Sequence, residues 1–181
     1  MKREYLLAVF IVLIAVGFMF FRPGEPEQIV QDTPPTSSPQ DTAEESSSLP
    51  DLPQQTVEMA LVSQYSGDAA MRDILALHHN DFPLEDGLIA HYQGDTARGT
   101  VWVSVSPDEA EAALLMQLMI QELPASPVFK EEDVFQLGDH TIYYVTGMGQ
   151  DHYYWLDDIY VYWLAVTSEN PIDELNVFLE N

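Results

Sequence analysis

The chain has no cysteine, and it has very little positive charge: 6 Lys+Arg stand against 30 Asp+Glu, a formal net charge of −24 over 181 residues. Without thiols there is no disulfide scaffold, no Cys-ligated zinc, no thiolate nucleophile and no lipidated cysteine. Without clustered Lys and Arg there is nothing to neutralise phosphates, which excludes a nucleic-acid binder. Several chemical signatures are missing too. No Gly-rich phosphate loop, Gly-x-Ser-x-Gly elbow or helical His-Glu-x-x-His pair occurs, and these carry the common cofactor, esterase and zinc chemistries. No cofactor is expected, and binding is the expected role in preference to catalysis.

What is present divides the chain in three. Residues 5–21, YLLAVFIVLIAVGFMFF, form a run of 17 uncharged positions, at the short end of the roughly 17–25 apolar residues needed to cross a bilayer as a helix. Lys2 and Arg3 precede the run, and beyond Arg22 the chain turns acidic. The positive-inside rule then leaves residues 1–4 in the cytoplasm and everything after the span outside the cell membrane. A small-x-small cleavage pattern exists at Ala15-Val16-Gly17, but Phe-Met-Phe-Phe follows it directly. Cleavage there leaves an apolar new terminus, so a retained single-pass signal anchor is the expected reading.

Residues 22–55 hold 7 Pro, 5 Ser, 3 Thr, 5 Gln and 7 Asp/Glu among 34 positions. So little apolar surface cannot offset the entropy of ordering the chain, and a disordered linker is expected. A coil of that length reaches about 30 Å or more.

Residues 56–181 carry 15 of the 20 aromatic residues and read as one extracytoplasmic α+β domain. A helix is expected over about 68–79, ended by Asn80-Asp81-Phe82-Pro83. Ser106-Pro107-Asp108-Glu109 offers a cap serine, proline at the first helical position and glutamate at the third, predicting a helix to about Leu123 that buries Leu115, Met116, Met119 and Ile120. Asn170-Pro171 opens a third, with Ile172, Leu175 and Phe178 turned inward. Strands are expected over 87–93, 99–105, 128–136, 139–147, 152–156 and 159–166. Hairpins with helices between them predict an antiparallel sheet of about five to six strands with helices packed on one face.

Two residue groups are candidates for chemistry. Eight aromatics fall between Tyr143 and Trp163, in adjacent pairs that put rings on both faces of their strands. If one face meets the helices, the other becomes a binding platform built from Tyr144, Tyr153, Tyr154, Trp155, Tyr162 and Trp163. The second group is a possible metal set of His78, His79, Asp81, His140 and His152, the last two in reach of Asp139 or Asp151. Adjacent histidines point about 100° apart on a helix, and at its last turn they suit free carbonyls better than an ion.

The function expected from all this is a membrane-anchored binding or accessory component of the cell envelope, taking an envelope protein or a glycan. The alternatives are a metal-dependent hydrolase or metal sensor built on the histidines, and a structural spacer or assembly subunit.

Overall fold

The computed structural model describes residues 49–78 and 82–180. The expected span 5–21, the linker up to residue 48, His79 and Asp81 lie outside the described residues. Among the described residues no helix is long and apolar enough to cross a membrane.

The elements run β1 (Ala60–Ser66), α1 (Asp68–Ala76), β2 (Asp86–Gln93), β3 (Arg98–Val105), α2 (Glu109–Glu122), a 3-10 turn (Leu123–Ala125), β4 (Phe129–Leu137), β5 (His140–Gly147), β6 (Gln150–Asp157), β7 (Tyr160–Thr167) and α3 (Pro171–Leu179). All seven strands of the described residues join one antiparallel sheet in the order β1-β2-β3-β7-β6-β5-β4. The sheet is larger than the five to six strands expected. The addition is β1, whose seven residues include none that is buried. An edge strand held by backbone pairing leaves no alternating apolar pattern to read.

Helices cover both faces, not one. Side chains alternate along a strand, so Tyr153, Trp155, Tyr162 and Leu164 share one face and pack with Leu175 and Phe178 of α3 and with Leu52 and Met59. The opposite face carries Val145, Tyr154 and Val161 against Ala112, Leu115, Met116 and Met119 of α2, and Ile89 against Ala70 and Ile74 of α1. The sheet therefore needs apolar residues on both sides, which explains the paired aromatics of β5, β6 and β7.

Residues 49–55, expected at the end of the linker, lie against the domain. Leu52 is buried, the Tyr92 hydroxyl donates to the Pro53 carbonyl at 2.8 Å, and the Leu61 N–H donates to the Gln54 carbonyl at 3.0 Å. Composition reads a Pro/Gln stretch as loose chain, yet one leucine and the backbone acceptors beside it suffice to dock this one.

The helix caps differ in detail. Asp108, and not Ser106, caps α2: its Oδ1 accepts the Glu111 N–H at 2.9 Å. Ser106 is instead buried and gives its N–H to the Ile159 carbonyl. In α3 Pro171 takes the first position as expected. Glu174 and not Ile172 turns inward: Glu174 is fully buried, its Oε1 accepting the Glu58 N–H at 2.9 Å, while Ile172 is exposed.

The 49–59 segment crosses close over the β2–β3 turn, where the Gly94 N–H donates to the Ala97 carbonyl at 2.9 Å. A Cβ at Gly94 meets the Glu58 carbonyl oxygen head on. Gly94→Ala should therefore lower the unfolding free energy by about 1–3 kcal/mol, as overpacking against rigid backbone does. Chemical denaturation reads this directly, and a change below about 0.5 kcal/mol would contradict the close approach.

Candidate functional site

Four of the six platform aromatics are core residues. Tyr153, Tyr154, Trp155 and Tyr162 are only 5%, 3%, 2% and 8% exposed, because α3 with residues 52–59 covers one face and α2 the other. The rings stack in rows across the strands. Trp155 lies on Tyr162 with centroids 4.8 Å apart and planes 1° from parallel. On the other face Tyr143, Tyr154 and the half-buried Trp163 form a ladder with 5.2 Å steps. An exposed platform of all six does not form. The exceptions are Trp163 and Tyr144, both half-buried, Tyr144 being stacked on Tyr153 at 5.1 Å.

Among the described residues the histidines do not converge. His78 turns its Nδ1 back to the Ile74 carbonyl at 2.9 Å, closing the end of α1 as a capping histidine does. His140 sits 3.7 Å from Asp157. His152 is fully buried on the opposite face of the sheet, and both its nitrogens are engaged: Trp163 Nε1–H donates to Nδ1 at 3.1 Å, and Nε2–H donates to the Gly147 carbonyl at 3.0 Å. This fixes the neutral tautomer and leaves no lone pair for a metal. Burial pushes the His152 pKa below its ordinary value, against the pull of the Gly147 carbonyl and Asp151. Among the described residues no group of three His, Asp or Glu side chains is placed to hold a metal ion.

Tyr144 opens instead onto a groove of about 590 Å³ where β4, β5 and β6 meet the start of α3, lined by Asp133, Phe135, Tyr144, Asp151, Tyr153, Glu169, Asn170, Pro171 and Ile172. The β5–β6 register puts Tyr144 opposite Tyr153. The diagonal neighbour two residues back is Asp151, and the Tyr144 hydroxyl donates to its Oδ1 at 2.6 Å. Burial, and then the Asp151 charge, push the Tyr153 hydroxyl up to about 12, so it stays a neutral phenol at physiological pH. The groove has an aromatic wall, an apolar lip at Pro171 and Ile172, three carboxylates and, among the described residues, no basic lining residue. Such a surface can stack on one part of a ligand and accept hydrogen bonds from another.

The sequence matches no family profile and no curated protein. Among solved structures it is similar to the extracellular domain of PknH from Mycobacterium tuberculosis, at 10% identity and a TM-score of 0.41, over 68% of this chain and 84% of that one.

Of the groove residues, only Tyr144 and Tyr153 belong to the sequence-derived binding set. Phe135, Glu169 and the α3 lip come from distant segments brought together by the strand order. The β5–β6 part is readable in principle. A two-residue turn at Met148-Gly149, with φ of 54° and 75°, pairs Gly147 with Gln150 and so Tyr144 with Tyr153.

Proposed function

We propose that this chain is a membrane-tethered extracytoplasmic binding domain, a non-enzymatic accessory component of the cell envelope, whose ligand lies in the Tyr144–Asp151 groove. One observation carries the reading: the groove offers an aromatic wall with hydrogen-bond-accepting carboxylates beside it. The uncharged run 5–21 with Lys2 and Arg3 before it, and the Pro-rich acidic stretch after it, support anchoring with the domain outside. The ligand class that suits the groove is an envelope glycan, with sugar hydroxyls donating to Asp133, Asp151 or Glu169 and a sugar face against Tyr144.

Binding of fluorescent cell-wall glycan fragments to the domain from residue 49 onward tests this. Asp151→Ala should weaken binding about 10- to 100-fold, the worth of a hydrogen bond to a charged group, and Tyr144→Ala should weaken it comparably. Equal affinity in both variants, with unfolding midpoints near the parent's, removes the groove from the reading.

A further inference from the structure

The two ends of the sheet are built differently. At one edge, β4 includes Lys130, Glu131, Glu132 and Asp133 and a register shift between Glu131 and Asp133, the usual defences of an exposed edge. At the other edge, residues 52–67, LPQQTVEMALVSQYSG, hold a single charged residue, Glu58, in a chain of net charge −24. Val62 at 62% and Val57 at 58% are the most exposed large apolar side chains among the described residues, and both lie here.

Part of this edge is occupied within the chain. The Leu61 N–H is taken by the Gln54 carbonyl, and Gln55 bridges Ala60. Beyond a register shift between Leu61 and Ser63, β1 runs regularly from Ser63 to Ser66 along β2. The Gly67 N–H donates to the Gly87 carbonyl. Backbone groups alternate in an antiparallel pair, so Ser63 and Tyr65 face β2, and Gln64 and Ser66 turn their N–H and C=O groups outward.

We propose that β1 is a self-pairing edge, through which two copies of this chain join antiparallel about Gln64 and continue one sheet into the other. The twofold sets the two Gln64 backbones in reciprocal hydrogen bonds and each Val62 opposite Ser66 of the second copy. Charge argues for a second copy as the occupant. Acidic domains repel one another, and this strip, with Glu58 its one charged residue and Asp73 held on the Tyr65 hydroxyl beside it, brings fewer like charges together than the β4 edge does. The tether argues for it too. Gln54 and Gln55 run beside the start of β1, and two copies tethered to one bilayer are brought within reach of each other. Confinement to a membrane then raises the effective concentration enough for a short strand contact to pair. The anchoring is the reading given under Proposed function; the pairing surface itself rests on β1.

The absence of cysteine makes the test clean, because one introduced thiol is the only thiol. Full-length Gln64→Cys is reconstituted in phosphatidylcholine vesicles and oxidised, with Val134→Cys on the β4 edge as the comparison. Gln64→Cys should give most of its protein as a disulfide-linked pair at twice the 20.4 kDa chain mass, and Val134→Cys little. Adding Val62→Asp, at a side chain too exposed to matter for folding, should cut the linked product about tenfold. Raising the salt should increase it, because screening weakens repulsion between the acidic domains. Equal linkage at both edges, no linkage at Gln64→Cys in folded protein, or linkage indifferent to Val62→Asp each overturns the proposal. Flotation of the chain with the vesicles reports the anchor separately, so its failure is distinguishable from failure of the pairing.

Discussion

Trp155→Ala should lower the stability of the domain by about 3–5 kcal/mol, the range for emptying a large aromatic from a core. Trp155 is almost fully buried in β6, inside the sheet, and it stacks flat on Tyr162 of β7. That loss is a large part of the 5–15 kcal/mol that holds most domains folded. It corresponds to a fall of about 10–20 °C in Tm for a domain of this size. The comparison with Tyr144→Ala makes the test sharp. Tyr144 keeps part of its surface in the groove, so its truncation should cost only about 1 kcal/mol of stability while weakening ligand. If Trp155→Ala left Tm within a few degrees and abolished binding instead, the indole would be a ligand contact and not a core residue.

The second large effect is on pH. His152, His78 and His91 are all held below the ordinary histidine pKa by burial. The unfolded chain, titrating near 6.5, therefore binds protons that the folded chain does not, and stability falls with decreasing pH. The contribution is complete above about pH 7. It is lost as pH drops below 6.5, by up to ~1.4 kcal/mol per unit for each fully affected group. His152 should dominate, because protonation at Nδ1 also breaks its bond from Trp163; His91, more open to solvent, contributes less. Most carboxylates titrate near pH 4, so a window of pH 7.5 to 5.5 isolates the histidines from the relief of acidic repulsion. Urea unfolding across that window, at fixed ionic strength, should show the decline. His152→Gln, which can still donate to the Gly147 carbonyl, should remove the larger part of the slope. A parent protein equally stable at both ends of the window contradicts the neutral buried histidine.

The same residues show how far local pattern reaches. Tyr153 and Trp155, like Tyr162, alternate correctly for a strand, and the pattern predicts β6 and β7 within a few residues. It is silent on whether the two faces of a strand are both covered. Adjacent aromatics look alike on an open platform and inside a three-layer sandwich. Here the C-terminal helix, foreseen as an element, lies on the side away from α1 and α2, and that placement turns a platform into a core. The histidines teach the same lesson. His140 and His152 look close in sequence, but strand parity puts them on opposite faces of the sheet.

By itself, the sequence determined, among the described residues, all three helices, six of the seven strands and the tight β5–β6 turn. These depend on signals local in the chain: alternation, a proline at a first helical position, a run of apolar residues. Only the tertiary structure decided the rest. The edge strand β1 forms because β2 offers it backbone partners, and the docking of residues 49–55 depends on a buried leucine and acceptors for Tyr92 and Leu61. Both faces are covered because the strand order leaves each with apolar rings to bury. The groove exists because that order brings Tyr144 and Asp151 beside Phe135 and the first turn of α3. Such contacts join residues far apart along the chain, and short-range periodicity carries no record of them.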